Sequence, residues 1–278
     1  MGALLALFLA VGVAQNQDPT PKPDAPKQEQ KPEAPKQEPA PKQEPAPKPE
    51  PPPPPPGREA VLHAGANVRA LFPMSSFDRD FDVFGAGSFS DFFGTVNWSD
   101  FYPSGVGGSL ELDVLWEPRG TAEVPAPKDA WVIGPTLSIG YDRFEGHKRT
   151  DRQGLSIDPD ALQVFTFLVG PKLVKNFEGG VFLDGRLAMG AAYYPSVDAD
   201  FHMPPGFPAT DFKGEFLAST LTFGMEVGIH AGFRVDNVSF VLGGDFRILA
   251  GPVRGENVHV SPGPLLAIGA DIGIELGF

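Results

Sequence analysis

The sequence contains no cysteine, which excludes a disulfide scaffold, a thiolate metal site and an N-terminal lipid-anchored cysteine. Basic residues are scarce: 22 Lys and Arg stand against 35 Asp and Glu, a formal net charge of -13. That balance excludes the basic face a nucleic-acid binder needs. Past the first residues there is no run of about eighteen apolar positions, so no ordinary transmembrane helix is expected. Glycine (33) and proline (32) are plentiful, and their uneven spread divides the chain into three zones.

Residues 1–14 read MGALLALFLAVGVA and close on the small-x-small triplet Gly12-Val13-Ala14. This is the pattern of a secretory signal peptide cleaved after Ala14. The usual Lys or Arg of its first segment is missing, and a buried helix is the competing reading. Residues 15–57 repeat Lys-Gln-Glu-Pro-Ala-Pro between Ala34 and Pro47 and include an unbroken proline run, Pro51 to Pro56. With no large apolar side chain, this zone cannot offset its chain entropy, and a disordered, polyproline-like linker is expected. Its six Lys nearly cancel seven Asp plus Glu, so the acidity lies beyond Gly57. The linker reads as a spacer, or more sharply as a stem that touches the cell wall.

The third zone, 58–278, has a period of two. From Leu266 to Phe278 alternate positions are Leu266, Ile268, Ala270, Ile272, Ile274, Leu276 and Phe278, and the positions between are glycine, alanine or acid. A helix would scatter that set around its axis. The same alternation recurs over 62–70, 110–116, 131–141, 183–193, 219–235 and 238–248, and less regularly over 162–174. Eight long amphipathic strands with no helix to cover them must close on themselves. The polar face is rich in glycine with isolated charges, which suits a narrow interior. The apolar face, with Trp116, Trp131, Tyr141, Tyr193 and Phe278 toward its ends, suits hydrocarbon. A soluble lipocalin-like barrel, with the faces reversed, is the alternative. Long connections at 73–105, 145–161, 195–215 and 249–263 alternate with mostly shorter turns, as in outer-membrane barrels. The expected fold is all-β: an eight-stranded antiparallel transmembrane up-and-down barrel over 58–278, preceded by the Pro-rich stem.

These strands, the loop asymmetry and the ending Ile272-Gly273-Ile274-Glu275-Leu276-Gly277-Phe278 resemble the OmpA-type outer-membrane barrel family. The resemblance covers about Val61 to Phe278. It implies a cell-outer-membrane location, outer-membrane lipid as a partner, and a last strand read by the barrel-assembly machinery through Ile274, Leu276 and Phe278. The sequence departs from OmpA itself in having no peptidoglycan-binding domain after the barrel and a stem before it, which puts a grip on the cell wall in doubt.

Thirteen charged residues are expected to line the lumen: Arg69, Glu111, Asp113, Asp142, Lys172, Asp184, Arg186, Glu226, Arg234, Asp245, Arg247, Asp271 and Glu275. Both signs are present, so a salt-bridge plug is one reading and a narrow ion path with an acidic excess the other. The suggestive pair for catalysis is His259-Val260-Ser261; apart from Asp271, its candidate acids are Glu256 in the same loop and the remote Glu275, and Pro262 breaks the pattern of barrel lipid hydrolases. No catalytic residue, cofactor or metal site is assigned. The first long loop is crowded with aromatics, and Phe81, Phe84, Phe89, Phe92, Phe93 and Trp98 are expected as a surface-contact set, a cover for the barrel mouth or a lipid-interface anchor. The leading expectation is a monomeric, non-enzymatic surface protein that serves envelope integrity or adhesion through its loops, with a surface ligand or the cell wall as candidate partner. A channel for ions or small solutes is the alternative, and a lipid-modifying enzyme the third.

Overall fold

The computed structural model describes residues 57–78, 96–120, 127, 129–150, 154–204, 206, 211–255 and 262–278. The expected signal peptide and linker therefore lie outside the described residues, Gly57 excepted. So do Phe81, Phe84, Phe89, Phe92, Phe93, Glu256, His259 and Ser261.

In chain order the strands are β1 (Arg58–Pro73), β2 (Ser76–Asp78), β3 (Val96–Asn97), β4 (Gly105–Pro118), β5 (Trp131–Phe144), β6 (Arg149–Thr150), β7 (Ser156–Pro159), β8 (Leu162–Asn176), β9 (Val181–Tyr194), β10 (Val197–His202), β11 (Phe212–Ala218), β12 (Thr220–Val235), β13 (Val238–Leu249), β14 (Val253–Arg254) and β15 (Leu265–Gly277). A one-turn helix, Trp98–Phe101, follows β3.

Eight of these close into an antiparallel barrel in the order β1-β15-β13-β12-β9-β8-β5-β4. Closure falls on β1, which pairs with β15 (Val68 opposite Ile272) and with β4 (Ala66 opposite Leu110). Every barrel strand but the pair across that seam meets its neighbour in sequence, which is the up-and-down topology. The barrel strands run from 12 to 16 residues, longer than the roughly nine to eleven that a tilted strand needs to cross a bilayer.

The pleat sorts the side chains. Val68, Leu110, Ile139, Phe167, Met189, Ile229, Leu242 and Ile272 point outward and are exposed. The charged residues of the alternate positions point inward and are buried. That polarity is the reverse of a soluble barrel, and an outward apolar belt around a polar interior is the arrangement of a membrane-spanning barrel. Aromatics rim the belt at both ends. Trp116, Trp131, Phe177 and Phe278 lie at the end with the short turns, and Phe72, Tyr141, Phe165 and Tyr193 at the end with the long loops. Tyr141, Phe165 and Tyr193 form a row on adjacent strands, with centroids 5.0 and 6.3 Å apart. Among the described residues no helix is long and apolar enough to cross a membrane.

The long connections carry structure of their own. The connections that follow β5, β9 and β13 form a second, open sheet in the order β14-β11-β10-β7-β6. The first connection adds the β2–β3 pair and the short helix. One hydrophobic core spans this cap and the barrel's loop end: Leu71, Phe144, Leu162, Tyr194, Leu249 and Leu265 from the barrel meet Phe77, Trp98, Phe101, Ile157, Phe201 and Phe216 from the cap.

This corrects the placement of Trp98. It is not a surface-contact residue; it is 0% exposed. Its ring meets Phe77 edge-on at 4.6 Å, and Phe77 stacks on Phe216 at 5.5 Å. A large ring leaves water for a core when partners from several loops surround it, and the sequence of one loop does not display those partners.

Candidate functional site

The barrel interior is the densest concentration of ionisable groups in the described residues. Pleating alone puts them there: each barrel strand presents alternate residues inward, and an eight-stranded barrel is just wide enough for side chains to meet across it. Twelve of the thirteen expected lumen residues are buried. The thirteenth, Arg234, is half-buried at the turn end, where its guanidinium donates to Glu117 at 3.4 Å and to Ser239 Oγ at 3.2 Å and lies over the Phe182 ring.

The groups form a connected network. Nearest the loop end, Arg69 Nε donates to Asp142 Oδ1 at 2.8 Å, and Arg247 donates to both Asp142 and Glu226. Below them Arg186 donates to Glu111 and, at 3.0 Å, to Asp245, and it lies 2.7 Å from Glu226. Asn67 Nδ2 donates to Glu111 at 2.6 Å. Toward the turn end Lys172 donates to Asp113 at 2.7 Å and to Glu275. His230 Nδ1 is 2.9 Å from Asp184 Oδ1. Isolated, each buried charge would cost several kcal/mol; pairing and hydrogen bonding are what make burial tolerable.

Two inward histidines were not singled out by sequence. His63 pairs with Glu117 at 3.2 Å on the turn-end rim, and His230 lies in the middle of the network. Both stand on the polar face of an alternating strand, and that position is the only signal the sequence offered.

Apolar clusters flank the network at both ends. At the loop end the barrel is filled by the apolar core shared with the cap. At the turn end Leu115, Val132, Val174 and Phe182 pack together inside the wall. Between them is a cavity of about 10 Å³, lined by Asn67, Glu111, Arg186, His230, Asp271 and Glu275 among others. That is room for one water molecule.

The cap has its own electrostatics. Asp211 meets His202 Nδ1 at 3.0 Å and accepts from the Met203 N–H at 2.8 Å. The His202 contact, then the Met203 bond, holds its carboxyl below the usual range. Tyr102, wholly buried, has its phenol pushed up by burial first and by Asp160 second, and its hydroxyl lies 3.4 Å from the Asp160 carbonyl. Lys213 pairs with Asp160 at 2.9 Å, which raises its ammonium. Arg149 pairs with Asp100 and so joins β6 to the short helix. Of the expected assembly residues, Ile274, Leu276 and Phe278 all lie exposed on the outward face at the turn end.

No protein-family model matches the chain, and no curated protein matches it. Solved structures similar to it include Neisserial surface protein A (11% identity, 78% of this chain and 97% of that one, TM-score 0.35). The outer membrane protein OprG of Pseudomonas aeruginosa is another (10%, 80% and 97%, TM-score 0.38). A third is Ail, the attachment invasion locus protein of Yersinia pestis (14%, 80% and 99%, TM-score 0.31). At this level of overlay the likenesses add nothing to what the barrel's own residues establish. With an apolar belt outside, an ion-pair network inside and closed strand pairing, the chain is an eight-stranded transmembrane β-barrel of the outer-membrane kind.

Proposed function

We propose that this barrel is a non-conducting outer-membrane anchor whose working surface is the folded cap it displays outside the cell. The observation that carries this reading is the single apolar core running from inside the barrel mouth into the cap. A solute path would have to cross that core and then a connected salt-bridge network beside which a cavity of about 10 Å³ has room for one water. A rigid cap fused to the barrel is suited to contact, so the role is structural or adhesive, in the manner of OmpA-type surface barrels. The long first connection, with Phe81, Phe84, Phe89, Phe92 and Phe93, supplies candidate ligand contacts.

The rest of the reading follows the same orientation. Residues 1–14 direct export. Residues 15–57 act as a periplasmic spacer to a monomeric barrel. The last strand, with Ile274, Leu276 and Phe278, is the element presented to the assembly machinery.

The lack of cysteine makes orientation directly testable. Single cysteines at Asp200 in the cap and Glu59 at the turn end are exposed positions. Asp200→Cys should react with a membrane-impermeant maleimide on intact cells, and Glu59→Cys only after permeabilisation. The opposite pattern would refute the displayed cap.

A further inference from the structure

Inside the barrel eight buried carboxylates face four buried Arg and Lys side chains, and the surplus is not spread evenly. Asp142, Glu226, Glu111 and Asp245 each meet a guanidinium, and Asp113 and Glu275 share Lys172. Asp184 and Asp271 differ. Among the described residues the only basic group within ion-pair distance of either is the His230 imidazole.

His230 is thus faced by three carboxylates. Its Nδ1 meets Asp184 Oδ1 at 2.9 Å. Its Nε2 lies 3.3 Å from Asp271 Oδ2 and 3.4 Å from Asp245 Oδ1. Neither His230 Nε2 nor Asp271 Oδ2 makes a hydrogen bond, although both side chains are more than nine-tenths buried. When Nδ1–H donates to Asp184, Nε2 turns a lone pair toward two carboxylate oxygens. That arrangement is repulsive unless positive charge lies between them. Space exists beside them, since His230 and Asp271 both line the interior cavity of about 10 Å³. Two glycines leave room for the imidazole: a Cβ on Gly228 would come within 2.8 Å of His230 Cε1, and one on Gly243 would collide with the ring.

We propose that the barrel interior binds a divalent transition-metal ion, zinc by its donor set, at His230 Nε2, Asp271 and Asp245. The three donor atoms lie within 4.8 Å of one another, so small side-chain adjustments bring each to the ~2 Å of a zinc bond. One imidazole nitrogen with carboxylate oxygens suits zinc. Asp184 is a positioning residue: a carboxylate on the far ring nitrogen fixes the tautomer of a metal-bound histidine. The ion's charge offsets the surplus at Asp184 and Asp271. The neighbouring Glu111, Asp113 and Glu275 group needs no ion, because Lys172 and Arg186 already supply cations to it. The site goes beyond the display role and does not depend on it.

The test is metal retention by the full chain refolded in detergent with zinc chloride and then desalted. Folded protein should keep about one zinc per chain. Asp271→Asn and His230→Gln, still folded by their heat-dependent gel mobility, should lose it about tenfold or more. Cobalt in place of zinc should give a visible ligand-field band that both variants lack. Folded wild-type protein that keeps no zinc would overturn the proposal and leave an imidazolium as the central charge. Equal retention by wild type and variants would overturn it too, by placing the ion on the surface. If His230→Gln does not fold, the wild-type and Asp271→Asn measurements decide.

Discussion

Trp98 Nε1 donates to the carbonyl oxygen of Gly263 at 3.2 Å, joining residues 165 positions apart. The bond ties the first long connection to the last, over the barrel mouth. Trp98→Ala should therefore cost about 3–5 kcal/mol, the usual cost of emptying a large aromatic site. The loss should appear as protease sensitivity of the connections, with the heat-dependent gel mobility of the barrel retained. Trp98→Phe keeps the ring packing and gives up the hydrogen bond, at about 1 kcal/mol. Equal protease resistance in wild type and Trp98→Ala would contradict a cap packed around this residue.

Ile272 faces outward, 58% exposed, between Val68 and Leu242 on the adjoining strands. Ile272→Arg should destabilise the barrel by about 2–4 kcal/mol if it lies at the bilayer midplane. Ile272→Leu should be close to neutral. Reversible unfolding in lipid vesicles measures both, and a neutral Ile272→Arg would contradict the face assignment.

Arg247 holds Asp142 and Glu226 together at the loop end of the network. Arg247→Met leaves Asp142 with Arg69 and Glu226 with Arg186 as their remaining cations; removing one positive charge from an interior already in acidic excess should still cost about 3–5 kcal/mol. A shift in urea midpoint reads this out. A variant as stable as wild type would show that the network contributes little.

The Asp211 carboxyl is held below the ordinary range by His202 and by the Met203 N–H. A depressed folded pKa means that the contact's contribution is fully present above the ordinary aspartate value, about 4. It is lost as the pH falls through the lower, folded value. Hydrogen exchange at the Met203 amide should stay protected to a pH below that at which an unperturbed aspartate protonates, and Asp211→Asn should abolish the pH dependence. Protection lost at or above the ordinary value would contradict the contact.

The barrel was legible because pleating writes itself into sequence. The alternation from Leu266 to Phe278 marks β15, and the same pattern sorts Ile272 outward and Asp271 inward. The cap was not legible. Its strands β6 and β14 are two residues long and β7 four, too short for a period to show. Even the alternation of Val197-Asp198-Ala199-Asp200-Phe201 falls within a stretch whose length marked it as a loop. Trp98 was misplaced because the cover over it is built across connections: its indole donates to Gly263 of the last one, and Phe77, which it meets edge-on, stacks on Phe216 of the third. His230 went unnoticed because its three carboxylates stand on β9, β13 and β15, and only closure of the barrel brings them together.

The most direct measurement is single-channel recording from the full chain, inserted into a planar bilayer and shown by protease protection to be inserted. A barrel sealed by the apolar core at its mouth and by its interior ion pairs gives no steady current above the bare bilayer. A stable conductance proportional to salt concentration would contradict the sealed barrel and return the interior acids to the role of a selectivity filter.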